Sequence, residues 1–371
     1  MIRVLYAGSP EASAKTLSLL FDGAGAYEIA GVLTNPPSAQ GRHKTPISTP
    51  VARFAEARGI PLFTPEHLNA ASREAIGVLR PDILVCFAYG HIFGPKFLSL
   101  FPLGAMNLHP SLLPKYRGPT PVNAAILNRD GETAVTVQTI SLAMDEGDIL
   151  AQEIVALDGT ETAGSLLDYC AVCGAEIIKK LLGECALSGK LPEGKAQTGT
   201  ASYTKIITKG DCRIDWRKSA PEIDAKIRAY FPEPGAWAEE NGSPLKILSA
   251  RVIEDENPLA AVSARIVENE KPSMSDAAGS EGSAISENEK PLASARIPEP
   301  NGSPECTRRS GDAVASALPG TVLSFDKKCG ILVQTGSGIL AVTELQRQGK
   351  KALDAASFIN GARNFVGTVL H

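Results

Sequence analysis

Between residues 2 and 140, short apolar runs alternate with segments of helical period, and this alternation leaves few folds open to the chain. Ile2 to Ala7 is a short, mostly apolar run, followed by Gly8-Ser9-Pro10-Glu11 and a helix pattern reaching Leu20. Ser9 ahead of Pro10 suits a helix start: a capping side chain, then a proline that gives up no needed donor. Ile29 to Leu33 is a second strand-like run, and Pro50 to Arg58 reads as a helix stopped by Gly59. Pro81 to Phe87 is apolar enough for a strand buried on both faces. Met106-Asn107-Leu108 and Ala134 to Ile140 supply two further strands. Strands separated by helices predict an α/β fold with a Rossmann-like, mostly parallel sheet. Ligands of such sheets bind beyond the carboxyl ends of the strands.

Residues 163 to 187 carry Leu166, Leu167, Cys170, Cys173, Ile177, Ile178, Leu181 and Leu182 near the helical period, which predicts one long amphipathic helix. The polar, Gly-rich stretch that follows predicts a linker over 188–203. Folded character resumes over 204–252, with a helix from Pro221 to Tyr230 and a strand at Pro244 to Leu248. Residues 318–371 add strand runs at Thr321 to Phe325, Gly330 to Gln334 and Gly338 to Val342, and a helix from Asp354 to Phe365. Several short strands separated by turns predict a small β-barrel. Residues 253–317 contain no Phe, Trp or Tyr and repeat Ser-Ala-Arg and Glu-Asn-Glu-Lys-Pro units too short and polar to stack. They read as a disordered insertion. The expected organisation is therefore a domain over 1–187, a linker over 188–203, and a second domain over 204–371 interrupted by 253–317.

No apolar run approaches the ~20 residues that span a bilayer, and Met1-Ile2-Arg3-Val4 opens without a basic and apolar leader. Seven cysteines without regular spacing fit a reducing cytoplasm. Cys170 and Cys173 share a helix face without a second pair or a histidine, so they read as core rather than as metal ligands. His43, His67, His91 and His371 offer no ligand spacing either, and no metal is expected. The formal net charge of −4 argues against a nucleic-acid partner until it is divided by region. Residues 204–252 with 318–371 hold 15 Lys+Arg against 10 Asp+Glu, while 253–317 hold 6 against 12. The second domain is thus basic, and the acidic insertion hides it.

Three stretches could carry chemistry. Asn107 and His109, two apart at a strand end, point the same way, and three prolines at 110, 114 and 119 stiffen the loop that follows. An amide donor and an imidazole facing one spot suit an oxyanion and a travelling proton. The competing reading is a turn-capping Asn and a satisfied loop His. Met144-Asp145-Glu146-Gly147-Asp148 follows the strand ending at Ile140 and would put a carboxylate at the same sheet edge. An acidic solvated turn is the alternative there. Asn35 to Pro46 is a long Pro-rich loop in which Arg42 and Lys44 could meet phosphates, or simply be solvated. Gly8-Ser9-Pro10 lacks the Gly-x-Gly-x-x-Gly of dinucleotide sites, and there is no Walker motif and no Gly-x-Ser-x-Gly elbow.

Asn107-Leu108-His109-Pro110-Ser111-Leu112-Leu113-Pro114, taken with Asp145 in Met-Asp-Glu-Gly, resembles the signature of the folate-dependent formyltransferases. Outside 253–317 the chain is similar to the methionyl-tRNA formyltransferase family within them. Tyr6 to Pro10, Gly41 to Lys44, Ala88 to Gly90, Lys115 to Pro121, Arg213 to Trp216, Ile227 to Tyr230, Leu318 to Thr321 and Gly349 to Ala352 match in order. The resemblance implies a formyltransferase-fold N-terminal domain and a C-terminal OB-like β-barrel that binds tRNA. It implies transfer of formyl from 10-formyltetrahydrofolate to the α-amino group of methionyl initiator tRNA, by a cytoplasmic monomer that needs neither membrane nor metal. Asn107, His109 and Asp145 would be the catalytic set, with a protonated His109 kept oriented and charged by Asp145. Ser111, Leu112, Leu113 and Pro114 would line the tetrahydrofolate site, with the backbone of Phe87, Ala88 and Tyr89 near the pterin. Arg42 and Lys44 would meet the tRNA acceptor end.

The family's loop Pro-Asp-Arg-Pro-Ala-Gly-Arg-Gly-Lys-Lys is altered here to Pro37-Ser38-Ala39-Gln40-Gly41-Arg42-His43-Lys44, and its Asn-Pro-Trp-Pro reads Phe231-Pro232-Glu233-Pro234. Alternatives are a formyltransferase acting on a small amine, such as glycinamide ribonucleotide or an amino sugar nucleotide, a nucleotide-binding dehydrogenase, and a non-catalytic RNA-binding protein.

Overall fold

A computed structural model describes residues 1–23, 25–40, 45–253, 317–362 and 364–371. Arg42, Lys44 and residues 254–316 of the expected insertion lie outside the described residues. The N-terminal half runs β1 (Ile2–Gly8), α1 (Glu11–Asp22), β2 (Tyr27–Leu33), β3 (Ser38–Gln40), β4 (Thr45–Ile47), α2 (Pro50–Arg58), β5 (Leu62–Phe63), α3 (Ala70–Gly77) and β6 (Ile83–Phe87). It continues with α4 (Pro95–Leu98), β7 (Ala105–His109), α5 (Pro121–Leu127), β8 (Glu132–Thr139), β9 (Ile149–Ala156) and α6 (Ala163–Ser188).

Seven of these strands form one sheet in the order β5-β2-β1-β6-β7-β8-β9. The first five run parallel, and β8 and β9 extend the sheet antiparallel. This is the mostly parallel α/β sheet expected from the alternation. Every residue of β6 is buried, because parallel strands need crossover helices and these cover both faces. Helix α2 forms where its ends are defined: Thr49 Oγ1 accepts from Ala52 N at 3.0 Å, Pro50 opens the first turn, and Gly59 closes it at φ +66°. Helix α6 starts from a reciprocal Thr162–Ser165 cap and ends on Gly189 at φ +75°.

The capping role expected of Ser9 is not met. Pro10 holds the cap position of α1 without a side-chain bond, while Ser9 Oγ pairs with Thr34 Oγ1 at 3.2 Å and accepts from Asn35 N at 3.3 Å. A partner on the neighbouring strand end outcompetes the local one.

After α6 the chain does not leave the N-terminal sheet at once. Lys195 exchanges both backbone bonds with Ile149, at 2.7 and 2.9 Å, and Arg117 N donates to Ser202 O at 2.9 Å while Thr204 N donates to Arg117 O at 2.7 Å. Then come α7 (Ala220–Tyr230), β10 (Ala236–Glu240), β11 (Ser243–Val252), β12 (Val322–Asp326), β13 (Gly330–Gln334), β14 (Ile339–Arg347), β15 (Leu353–Asp354) and α8 (Ala355–Gly361). The strands form one antiparallel sheet, β10-β11-β14-β13-β12 with β15 on β14. It has its own core, including Trp216, Ile227, Tyr230, Leu245, Val333, Phe358 and Leu370. The final helix stops at Gly361 rather than at Phe365, and the Phe365 ring folds back edge-on to Phe358 at 4.9 Å.

Helix α6 is the platform under the candidate site. A Cβ on Gly174 would lie 2.4, 2.6 and 3.0 Å from the Cδ2, Cδ1 and Cγ of Leu108, which is buried near the end of β7. Gly174→Val is expected to destabilise the protein by about 1–3 kcal/mol through overpacking. Urea unfolding measures it, and an unchanged midpoint would mean that Leu108 yields freely.

Candidate active site

Strand side chains alternate, so Leu108 faces α6 while Asn107 and His109 share the opposite face of β7. The antiparallel register with β8 sets Gln138 across from Asn107 and Thr136 across from His109. Thr136 Oγ1 donates to Ser111 O at 2.7 Å and accepts from Gln152 Nε2 at 2.8 Å. A polar row therefore crosses an otherwise apolar sheet, next to the loop that follows β7.

The loop between β8 and β9 folds over this row and delivers Asp145, whose backbone sits in the left-handed region at φ +54°. One carboxylate oxygen, Oδ1, faces Gln138 Nε2 at 3.1 Å, Asn107 Nδ2 at 3.4 Å and His109 Nδ1 at 3.6 Å. The other, Oδ2, accepts from Gly118 N at 2.8 Å. Gly118 is fitted for this by its φ of +104° and by the Thr204 carbonyl oxygen, which would lie 2.8 Å from any Cβ added there.

His109 is 4% exposed, and its Nε2 lies 2.9 Å from the Tyr116 carbonyl oxygen. A carbonyl only accepts, so Nε2 carries a proton, while Nδ1 faces Asp145 Oδ1. Burial pushes the imidazole pKa below its ordinary value, and this outweighs the opposing pull of Asp145 and of the Tyr116 carbonyl. Burial thus works against the charged His109 expected from Asp145, and the Tyr116 carbonyl orients the ring. Tyr116 is itself fixed, with φ +59°, its hydroxyl donating to Asp130 Oδ2 at 2.7 Å and accepting from Asn128 Nδ2 at 2.9 Å. Burial, aided by Asp130, pushes that phenol up to about 12, so it remains a donor.

The residues expected around a folate divide by exposure. Ser111 is buried and its Oγ donates to Lys115 O at 2.7 Å, and Leu113 is buried ahead of Pro114; these shape the loop from below. Leu112 and Pro114 are half-buried, and Ala88 is exposed at φ +54° beyond β6. The Phe87 and Tyr89 side chains are buried, Tyr89 stacked on Phe93 at 5.4 Å, so only their backbone can face a ligand. Asn35 Nδ2 donates to the Tyr89 carbonyl at 3.1 Å, joining to this edge the start of the 35–46 stretch, which is not all loop as expected but holds the antiparallel pair β3–β4. A cleft of about 270 Å³ between β9 and α6, lined by Leu150, Glu153, Lys180 and Leu181 among others, holds none of the converging side chains.

Sequence reasoning passed over Gln138, Gln197, Tyr116 and Arg117. Gln138 left a signal, a lone amide within the apolar run from Ala134 to Ile140. The others become neighbours of Asp145 and His109 only through the fold.

The formyl transferase family model matches residues 1–181, and that of the formyl transferase C-terminal domain matches 206–363. The chain is 36% identical over 374 residues to the methionyl-tRNA formyltransferase of Treponema denticola, covering 98% of each. Methionyl-tRNA formyltransferase from Clostridium thermocellum superposes with a TM-score of 0.51 at 14% identity, covering 69% of this chain and 96% of that one. HypX from Aquifex aeolicus in complex with tetrahydrofolic acid superposes with a TM-score of 0.53 at 13% identity, covering 99% of this chain. The chain spans about half of HypX, 48% of its length. Both structural likenesses speak for the fold.

Proposed function

The chain belongs to the methionyl-tRNA formyltransferase family, and on that premise we propose that it moves the formyl group of 10-formyltetrahydrofolate onto the α-amino group of methionyl initiator tRNA. One observation carries the reading: Gln138 Nε2, Asn107 Nδ2 and His109 Nδ1 converge within 3.1–3.6 Å on Asp145 Oδ1. The nucleophile is the substrate's own amine, so the chain needs no serine or cysteine elbow. Attack by the amine on the formyl carbon forms a C–N bond and leaves a negative oxygen. Asn107 spends one amide hydrogen on Asp145, and the second is free to donate to that oxygen. The attacking nitrogen must lose a proton. His109 Nδ1, neutral at rest, accepts it, and the resulting imidazolium sits beside the Asp145 carboxylate. Cleavage of the bond to N10 of the folate then takes a proton back to that nitrogen, so the two products balance.

The folate is assigned to the edge between the exposed backbone at Ala88 and the loop of Ser111 to Pro114. The one-carbon chemistry is the folate's, and the protein supplies position and field. No metal is invoked, and among the described residues no group of three or more His, Cys, Asp or Glu side chains is arranged to hold one. The domain boundaries proposed are 1–187, 188–203 and 204–371. The C-terminal sheet is proposed as the OB-like barrel that takes the tRNA. Its basic balance supports this, as do Lys209 and Arg213 set against the ring of Trp237, each at 5.6 Å. Arg42 and Lys44 are assigned to the tRNA acceptor end on the sequence resemblance. Residence in the cytoplasm as a monomer completes the proposal. The unpaired thiols of Cys86, Cys170, Cys185 and Cys212 support the compartment, and among the described residues no helix is long and apolar enough to cross a membrane.

Incubation of the purified protein with 10-formyltetrahydrofolate and methionyl initiator tRNA is expected to yield formylmethionyl-tRNA, with far less product from an elongator methionyl-tRNA. Product from a small amine but not from charged tRNA would overturn the assignment in favour of the small-amine reading.

A further inference from the structure

Gln197 is half-buried within a stretch whose neighbours at 195, 196 and 198–200 are exposed. Its side-chain oxygen accepts from Arg117 Nε at 3.1 Å and Nη2 at 2.8 Å. A guanidinium only donates, so this pairing fixes which end of the amide is oxygen. The nitrogen end then donates into the Asp145 loop from beneath. It lies 2.8 Å from the Asp145 carbonyl oxygen, 2.8 Å from that of Gly147 and 3.1 Å from Gln138 Oε1. That last bond orients Gln138 in turn, so its nitrogen faces the Asp145 carboxylate. Arg117, Gln197, Gln138 and Asp145 thus form one directional relay. Its guanidinium end is tied down by Glu146 Oε1 and the Tyr203 hydroxyl, both at 2.8 Å.

We propose that Gln197 is a positioning residue for formyl transfer, which holds the Asp145 loop and, through Gln138, the Asp145 carboxylate in place from the segment joining the two halves of the chain. The proposal rests on the assignment of Asp145 to the reacting site. Asp145 lies in a backbone region that side chains rarely adopt, and Gln197 adds two bonds from outside the loop to those the loop makes within itself between Thr139 and Asp148. One of the two loop carbonyls bonded to Gln197 belongs to Asp145 itself, whose carboxylate must stay within reach of His109, and the other to Gly147, two residues on. The relay also gives the joining segment a direct hold on the site, so a strain on that segment would be felt at Asp145.

The decisive variant is Gln197→Glu in the full-length protein. It keeps the shape and the acceptor for Arg117, but it turns an oxygen instead of a donor toward three oxygens. Its kcat is expected to fall by about tenfold to a hundredfold, the range for a displaced reacting group, with both KM values within about threefold of the parent. Gln197→Met, which has similar shape and no charge, is expected to fall likewise, and serves if Gln197→Glu does not fold. Single-turnover rates of Gln197→Glu, Asp145→Asn and the double variant separate the two layers. If Gln197 acts through Asp145, the double variant is no slower than Asp145→Asn alone. A multiplicative further loss, or a change confined to KM, overturns the proposal, as does parental kcat in both Gln197 variants. Parental kcat in Asp145→Asn overturns the underlying site assignment instead.

Discussion

Asn107→Ala is expected to lower kcat by about a hundredfold to a thousandfold, the loss of ~3–4 kcal/mol found when one oxyanion donor is removed. Folding should be nearly untouched, for a reason visible in the site. The Asn107 side chain is half-buried, and its amide makes one long bond, 3.4 Å to Asp145. Truncation removes little packing and leaves Asp145 Oδ1 with Gln138 as a donor at 3.1 Å. The strand itself is held by backbone pairing to β6 and β8 and by Leu108 against α6, none of which uses the Asn107 side chain. Asn107→Asp makes the sharper comparison. It is nearly isosteric, but sets a second carboxylate against Asp145 and presents an acceptor where a donor is needed, so it should be at least as slow as alanine. Turnover at saturating 10-formyltetrahydrofolate and methionyl-tRNA, measured beside a thermal melt, checks both. Near-parental turnover with a parental melt would remove Asn107 from the chemistry.

How much of this was legible in the sequence depended on how far each signal had to reach. The pairing of Asn107 with His109 needed only the two-residue period of a strand, and both do share a face of β7. The parallel sheet followed from alternation, because apolar runs such as Ile83 to Phe87 have no polar side to turn outward. The partners of Asp145 were not legible. Gln138 reaches it because β8 runs antiparallel to β7, and nothing in the run from Ala134 to Ile140 states its direction. Gln197 reaches it because the segment after α6 pairs back onto the sheet at Ile149, where the sequence predicted only a linker. The Ser9 cap failed for the same reason in miniature, since a hydroxyl on the next strand end outbid the local backbone. For His109 the sequence supplied Asp145 but not the desolvation that opposes it, because burial is a property of the assembled packing.

The buried His109, its pKa pushed down by desolvation, makes the second large prediction specific. His109→Gln should lower kcat by about a hundredfold to ten-thousandfold, the span of a lost general base. Glutamine is the right probe because its amide nitrogen lies near where Nε2 was, so the bond to the Tyr116 carbonyl can survive. What disappears is the basic nitrogen at the Nδ1 position, 3.6 Å from Asp145. Alanine would confuse the two by leaving a buried carbonyl without its donor, at a cost of about 1–3 kcal/mol. In the parent, the acidic limb of kcat/KM against pH should fall below the ordinary histidine value of 6.5, because burial lowers the pKa of the free enzyme's base. In His109→Gln that limb should vanish from the residual rate. Stability supplies an independent check. As pH falls below 6.5 the unfolded chain takes up a proton at this histidine before the folded chain does, so unfolding is favoured and the parent loses stability. The glutamine variant has no proton to take up there, and its stability should decline less over the same range. A parental acidic limb above 6.5, or identical pH–stability curves for the two proteins, would mean that the imidazole is charged in the resting site and that the base lies elsewhere.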